Sequence, residues 1–228
     1  MIAISDAIAR VLESDGIDPR RIVVVHSGVD LAEAATAAPM GLRNRLGLAE
    51  GSPLAVNVGA LVPHKDHATL LRAAALLREP LPRLHWAIAG EGPLRTGLEE
   101  LRDQLGLRDR VHLLGHVPEP LRLVADADVF VMSSREEGLG TSVLDAMARG
   151  IPVASTTAGG LPEMLRDGAG LLVPPEQPAA LADAVARLVM DLELRSRVRD
   201  QALMVVQRFS ARRMADEVGA VYRSFATN

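Results

Sequence analysis

Short apolar runs alternate along the chain with longer segments of helical spacing. The runs are Arg21–His26, Leu54–Val58, Leu84–Ala89, Val111–Leu114, Val129–Met132, Ile151–Ala154 and Gly170–Val173. Between them, Ala68–Leu77, Leu94–Leu105, Thr141–Arg149 and Ala179–Val189 carry the apolar periodicity of amphipathic helices. The tail from Ser210 to Asn228 reads as one more helix, with Ser210 as its N-cap. This alternation predicts an α/β fold, a Rossmann-like parallel sheet with helices on both faces. The strands read as nearly continuous apolar runs, which marks a sheet buried on both sides. Ligands of such sheets bind in the loops at the carboxyl ends of the strands. Glycine and proline gather in those loops, in AGEGP, SSREEGLGTS and TTAGGLPE.

Composition narrows the function. The net charge is −4, from 25 basic and 29 acidic residues, and only 2% of residues are aromatic. Without a basic stripe or a set of stacking aromatics, nucleic acid is not an expected partner. There is no cysteine, so disulfides, thiolate metal sites and cysteine nucleophiles are excluded together. Apolar runs such as Ala73–Leu77 are far too short to cross a bilayer. The opening stretch carries Asp6 and Glu13, unlike a secretory signal. The chain therefore reads as soluble and cytoplasmic, with no transmembrane segment.

Four loops carry candidate chemistry. In Ser133–Gly150 a strand gives way to an acidic, glycine-rich loop and then a helix. Gly138 and Gly140 let the backbone approach a ligand, and the free amides of the helix start suit a phosphate or sugar oxygen. Glu137 and Asp145 stand eight residues apart, so both carboxylates can face one crevice. A turn with a solvated acidic pair would use the same residues; the loop around them favours a site. Val58–Lys65 places Lys65 just before a helix, where its ammonium can meet a diphosphate. His64 and His67 flank it, a poor metal pair without a further ligand. Gly90-Glu91-Gly92-Pro93 opens like a dinucleotide fingerprint, but Arg95 stands where the third glycine belongs. It reads as a tight turn with Pro93 at the first helical position. Thr157–Glu163 offers two adjacent glycines whose amides can nest an anion, or form only a turn. Asp126-Ala127-Asp128 has the form of a metal-binding Asp-x-Asp string; its position before a buried strand favours a structural role, with Asp126 ending the preceding helix. His112 and His116 read as loop or surface residues. No serine-hydrolase elbow, P-loop or zincin string occurs.

Taken in order, these loops resemble the C-terminal domain of glycosyltransferase family 4, which has the two-domain GT-B fold. The resemblance runs from Ser5 to about Val205. It is carried by HSGVD (residues 26–30), VGALVPHKDHATLLRAA, AGEGPLRTGLEELRDQLGLRDRVHLLGHV and SSREEGLGTSVLDAMARGIPVASTTAGGLPE. It implies a retaining, metal-independent transferase with no cofactor. The donor would be a UDP-, GDP- or ADP-linked sugar. Glu137 would contact the donor sugar and Lys65 the diphosphate, the two as catalytic residues. Asp145 would bind the ribose. Gly59, Ala60, Gly90, Gly92 and Gly138 would line the donor site. The amides of Leu139, Gly140, Thr141 and Ser142 would meet phosphate or ribose, and His116-Val117 would lie against the base.

The same resemblance implies three regions. Residues 1–33 would be the end of an N-terminal acceptor domain and the crossover, 34–205 the donor-binding domain, and 206–228 a helix packing back towards the first domain. Most of the acceptor domain is then expected to be missing, so the isolated chain is expected to be weakly active or inactive. A partner or second copy would cover the open face. Two departures stand out: Ala60 replaces the family's phosphate-binding arginine, and Asp145 replaces a glutamate. They keep open a non-catalytic binding or scaffold role, and the shared architecture keeps open a GT-B epimerase or phosphorylase.

Overall fold

The computed structural model describes residues 1–226. The chain opens with β1 (Ile2–Ala3), α1 (Asp6–Ser14) and β2 (Val23–Val24), and the two strands form a separate parallel pair. After α2 (Leu31–Thr36) and α3 (Leu42–Arg45) the main sheet begins. Its strands are β3 (Leu54–Val58), β4 (His85–Ala89), β5 (Val111–Gly115), β6 (Val129–Met132), β7 (Val153–Thr156) and β8 (Leu171–Val173). All pair in parallel, in the order β5-β4-β3-β6-β7-β8. The strand order reverses between β3 and β6, so the doubly wound rule places the ligand crevice at their carboxyl ends.

Successive side chains of β3 explain the two layers. Leu54 and Val56 point into one core, beneath α6 (Pro120–Val124), α7 (Thr141–Arg149), α8 (Leu161–Leu165) and the end of α10 (Leu192–Val205). Ala55 points into the other, beneath α4 (His67–Leu76), α5 (Arg95–Gln104) and α9 (Pro178–Met190). Phe130, Leu144 and Met147 fill the first core; Leu70, Leu71 and Ile88 fill the second. Each is essentially inaccessible to solvent. The last helix, α11 (Ala211–Ala226), starts beside the linker that follows β2. There Val29 and Ser210 form a β-bridge, and the Ser210 hydroxyl accepts from the Arg213 amide as the expected N-cap. Residues 227 and 228, at the end of the predicted helix, lie outside the described residues.

Several elements differ from the sequence reading. The strand expected over Arg21–His26 shrinks to Val23–Val24 and pairs with β1 rather than joining the main sheet. The strand expected at Ile151 starts two residues later. Ile151 lies in the turn that caps α7, where Gly150 is left-handed and the Ile151 amide donates to the Ala146 carbonyl. Pro152 then has no amide to give to a ladder. Pro93 lies in the turn before α5, which begins at Arg95. Helix α10 was not expected from the sequence: its charged and apolar residues are interleaved and only Val198 and Ala202 are buried.

Candidate functional site

The loops after β3 and β6 meet at the reversal point and are stitched together by hydrogen bonds. Ser133 Oγ donates to the Lys65 carbonyl at 2.9 Å, and the Arg135 amide donates to the His64 carbonyl at 2.8 Å. A short 3-10 turn, Pro63–Lys65, lifts Lys65 out of the β3 loop, and Asp66 then caps α4. The Lys65 ammonium forms an ion pair with Glu137, and Ser134 Oγ also faces the Glu137 Oε2, at 3.3 Å. The side chains of Lys65 and Glu137 are only 18% and 11% exposed, so the pair is partly desolvated and electrostatically stronger than a surface bridge.

Glycines bring the neighbouring loops within reach. A Cβ at Gly90, whose φ is +149°, would lie 1.9 Å from the Gly59 carbonyl oxygen. The Gly90–Pro93 string thus packs the β4 loop onto the β3 loop. On the other side, Gly159 is left-handed at φ +50°, and a Cβ there would lie 1.7 Å from the Glu137 carbonyl oxygen. The Thr157–Glu163 loop therefore buttresses the backbone that carries Glu137.

Helix α7 starts at Thr141 with Gly140 as a left-handed N-cap and no side-chain cap. Its first amides have no partner within the helix, which leaves an electropositive end. Ser142 Oγ donates to the Val58 carbonyl at 3.2 Å, drawing this end beside Gly59 and the exposed Ala60. Leu139 is buried and anchors the loop below. Asp145 lies further along α7, half-buried, with Glu33 of α2 as its charged neighbour. Burial, and after it the Glu33 carboxylate, push its pKa up to about 6. His116 is exposed and Val117 half-buried just past β5, one strand beyond β4. A cleft of about 460 Å³ opens between Ala7, Ile8 and Val11 of α1 and residues 135–138, with His64 and Gly159 at its edge. Glu137 opens into it.

Other candidates prove structural. The Asp126 carboxylate does not serve the helix before it: it accepts from the Met40 and Leu42 amides at 3.0 and 3.2 Å, holding the start of α3. Asp128 pairs with Arg43 and accepts from the Leu54 amide. His64 is exposed, whereas His67 is buried with Nε2 at 3.0 Å from Asn57 Oδ1, so the two do not converge. His112 is a half-buried strand residue, stacked on His85. The group of residues with metal-ligand character among those described is Asp6, His26 and Glu163. Both Glu163 oxygens already accept from the Asp6 and Ala7 amides, at 2.9 and 2.8 Å, and Nε2 of His26 is 2.9 Å away. Glu163 thus caps α1. Ser5 caps the same helix locally, its hydroxyl accepting from the Ile8 amide, and nothing near it in sequence points to Glu163.

Residues 41–203 match the family described as glycosyl transferases group 1. A D-inositol 3-phosphate glycosyltransferase of Nocardia farcinica is 38% identical over 86% of this chain and 45% of its own length. An alpha-D-kanosaminyltransferase of Streptomyces kanamyceticus is 33% identical over 80% of this chain and 48% of its own length. The chain thus spans about half the length of the curated relatives it matches. Among solved structures, Anabaena HepE in complex with UDP-glucose superposes with a TM-score of 0.90 at 24% identity, over 98% of this chain and 63% of that one. Sucrose-phosphate synthase of Thermosynechococcus elongatus gives 0.85 at 27%, over 100% and 58%. The six-stranded parallel sheet is the C-terminal, Rossmann-like domain of the GT-B glycosyltransferase fold, and the chain belongs to the glycosyl transferases group 1 family.

Proposed function

We propose that this chain is the nucleotide-sugar-binding part of a retaining, metal-independent glycosyltransferase of family 4. The observation that carries the reading is the Lys65–Glu137 pair set beside the uncapped start of α7 at the strand-order reversal. In this reading a donor diphosphate lies against the α7 amides and draws the Lys65 ammonium from Glu137. Glu137 is then released to accept from hydroxyls of the donor sugar. As the bond to the sugar breaks, negative charge grows on the leaving diphosphate, and the released Lys65 and the helix end stabilise it. Asp145 accepts from the ribose hydroxyls, and residues 116–117 flank the base. UDP is the first nucleotide to test, because it is bound in HepE.

In this reading the chain divides into the three regions expected from the sequence. Residues 1–33 build a two-stranded pair with exposed Ile4, Val11 and Val23, an apolar face suited to further first-domain structure. Residues 34–205 hold the donor, and α11 returns towards the first unit. An acceptor site needs a second wall to fix near-attack geometry, so the isolated chain turns over slowly or not at all. Ala60 favours one other reading, a binding protein without catalysis, because it removes a fixed cation from the leaving group.

Titration calorimetry with UDP, GDP and ADP, with and without EDTA, tests the proposal. Selective binding of one nucleotide, unaffected by EDTA and weakened in Lys65→Ala and Asp145→Ala, is expected. No binding of any of the three refutes it for this chain.

A further inference from the structure

The loop that carries Glu137 is held from the far side by the first unit of the chain. Ser5 is completely buried, and its hydroxyl makes two bonds at once. It donates to the Gly138 carbonyl at 2.6 Å and accepts from the Ile8 amide at 3.1 Å, as the N-cap of α1. Glu163, only 7% exposed, accepts from the next two orphan amides, those of Asp6 and Ala7. Three amides at the start of α1 thus find side-chain acceptors, two of them on a residue more than 150 positions away. Glu163 sits on α8, directly after Gly159 and Gly160. The Gly160 amide donates to the Glu137 carbonyl at 3.1 Å. A Cβ at Gly160 would press on the Gly138 carbonyl at 2.4 Å, and one at Gly138 would press on Ile4 at 3.1 Å. The backbone of residues 137–138 is therefore clamped between Ser5 and the Gly159–Gly160 turn, and Glu163 fixes the spacing of the clamp.

We infer that Ser5 and Glu163 are positioning residues for Glu137, a strut by which the β1–α1–β2 unit sets how the donor sugar is held. Neither side chain reaches Lys65 or the start of α7, so the strut acts on the sugar end of the site and leaves the nucleotide end alone. A shift of α1 reaches Glu137 through the Gly138 peptide. Burial makes the coupling stiff: the Ser5 hydroxyl and Gly138 carbonyl have no water to exchange for each other. This inference rests on the donor-site reading for its ligand, though not for its geometry.

Two measurements on the full chain test it. Hydrogen exchange reads the Gly160 amide, which reports on the Glu137 carbonyl it bonds. In Ser5→Ala and in Glu163→Gln that amide exchanges faster, while the amides of β3 and β6 keep wild-type protection; Ser5→Thr restores it. Calorimetry then compares UDP-glucose with UDP. Each variant loses about tenfold in affinity for UDP-glucose relative to UDP, the size of one lost hydrogen bond to a charged group. In a Glu137→Gln background, Ser5→Ala changes that ratio no further. Wild-type protection at Gly160 in both variants overturns the inference. So does faster exchange with an unchanged UDP-glucose to UDP ratio, which reduces the strut to a purely structural contact. A wild type that binds neither ligand refutes the donor-site reading itself, and the exchange arm still decides whether Ser5 and Glu163 hold the loop.

Discussion

Replacing Asp145 by asparagine removes a carboxylate whose pKa is raised from 3.8 to about 6 by burial first and by Glu33 second. The folded chain binds this proton more tightly than the unfolded chain. Asp145 therefore contributes stability that is complete below the unfolded value and is lost as pH climbs from about 4 through 6. At about 1.4 kcal/mol per pH unit the interval corresponds to roughly 3 kcal/mol. The side chain is partly exposed, and screening by solvent reduces this to about 1–2 kcal/mol. His67 titrates in the opposite sense. Burial, and then the Lys65 charge, pull it from 6.5 to about 4. Asn57 donates its amide to the Val131 carbonyl, so its oxygen takes the His67 Nε2 proton, and a second proton on the buried Nδ1 would find no acceptor among the described residues. The His67 contribution is present above pH 6.5 and is lost as pH falls towards 4, about 3 kcal/mol in all.

These two slopes run against each other over nearly the same window, so wild-type stability hides both. In urea unfolding followed by circular dichroism, Asp145→Asn is more stable than wild type by about 1–2 kcal/mol at pH 7.5. Its melting temperature there is roughly 2–8 °C higher. The gap closes as pH falls to about 4, where the wild-type carboxyl is protonated. His67→Gln shows the mirror image, its stability falling as pH rises from 4 to 6. An Asp145→Asn variant no more stable than wild type at pH 7.5, or a gap that does not change with pH, refutes the reasoning. The same variant loses nucleotide affinity in the donor-site reading, which makes Asp145 a stabilising replacement that damages function.

Gly159→Ala forces a Cβ to 1.7 Å from the Glu137 carbonyl oxygen at a left-handed φ, so backbone must move. The expected loss is about 3 kcal/mol or more in urea unfolding, and a loss under about 1 kcal/mol shows that the contact yields. Lys65→Met leaves the largely buried Glu137 carboxylate without its cation and costs about 2 kcal/mol. Adding Glu137→Gln recovers most of that, and additive losses in the double-mutant cycle contradict the pairing.

The sheet was legible in the sequence because β3 to β8 are short apolar runs, most of them flanked by glycine or proline; the inner strands β3, β6 and β7 are buried almost throughout, and the edge strands β5 and β8 are part-buried. The β1–β2 pair was not, since two residues per strand carry no periodicity. The site loops were legible for a different reason: Gly90, Gly140 and Gly159 sit where the backbone is left-handed or nearly touches another chain segment. What sequence could not supply was pairing. Lys65 meets Glu137 across 72 positions, Asp126 meets Met40 across 86, and Ser5 meets Gly138 across 133. Lys65 and Glu137 stood out as separate site candidates, but nothing local to either residue, or to Asp126 or Ser5, shows what it meets. The Asp-x-Asp string shows the consequence, since the partners that make it structural lie in α3 and β3.

The ion pair also changes the meaning of Ala60. Lys65 is the cation assigned to the diphosphate, yet Glu137 already neutralises it. On the donor-site reading, a diphosphate entering this site meets the α7 amides and a charge that must first be released. An arginine at position 60 would sit on the exposed rim beside Gly59. At about 6 Å and an effective dielectric constant near 20, one added charge is worth roughly 3 kcal/mol against a unit of phosphate charge. Ordering the long side chain costs about 1–2 kcal/mol of this. Ala60→Arg should therefore tighten UDP binding by about tenfold in calorimetry. The gain should shrink as salt rises from 50 to about 500 mM, because the rim is open to screening. Unchanged affinity at low salt would place the diphosphate away from the end of β3. It would also separate the α7 amides from Lys65 as parts of one anion site.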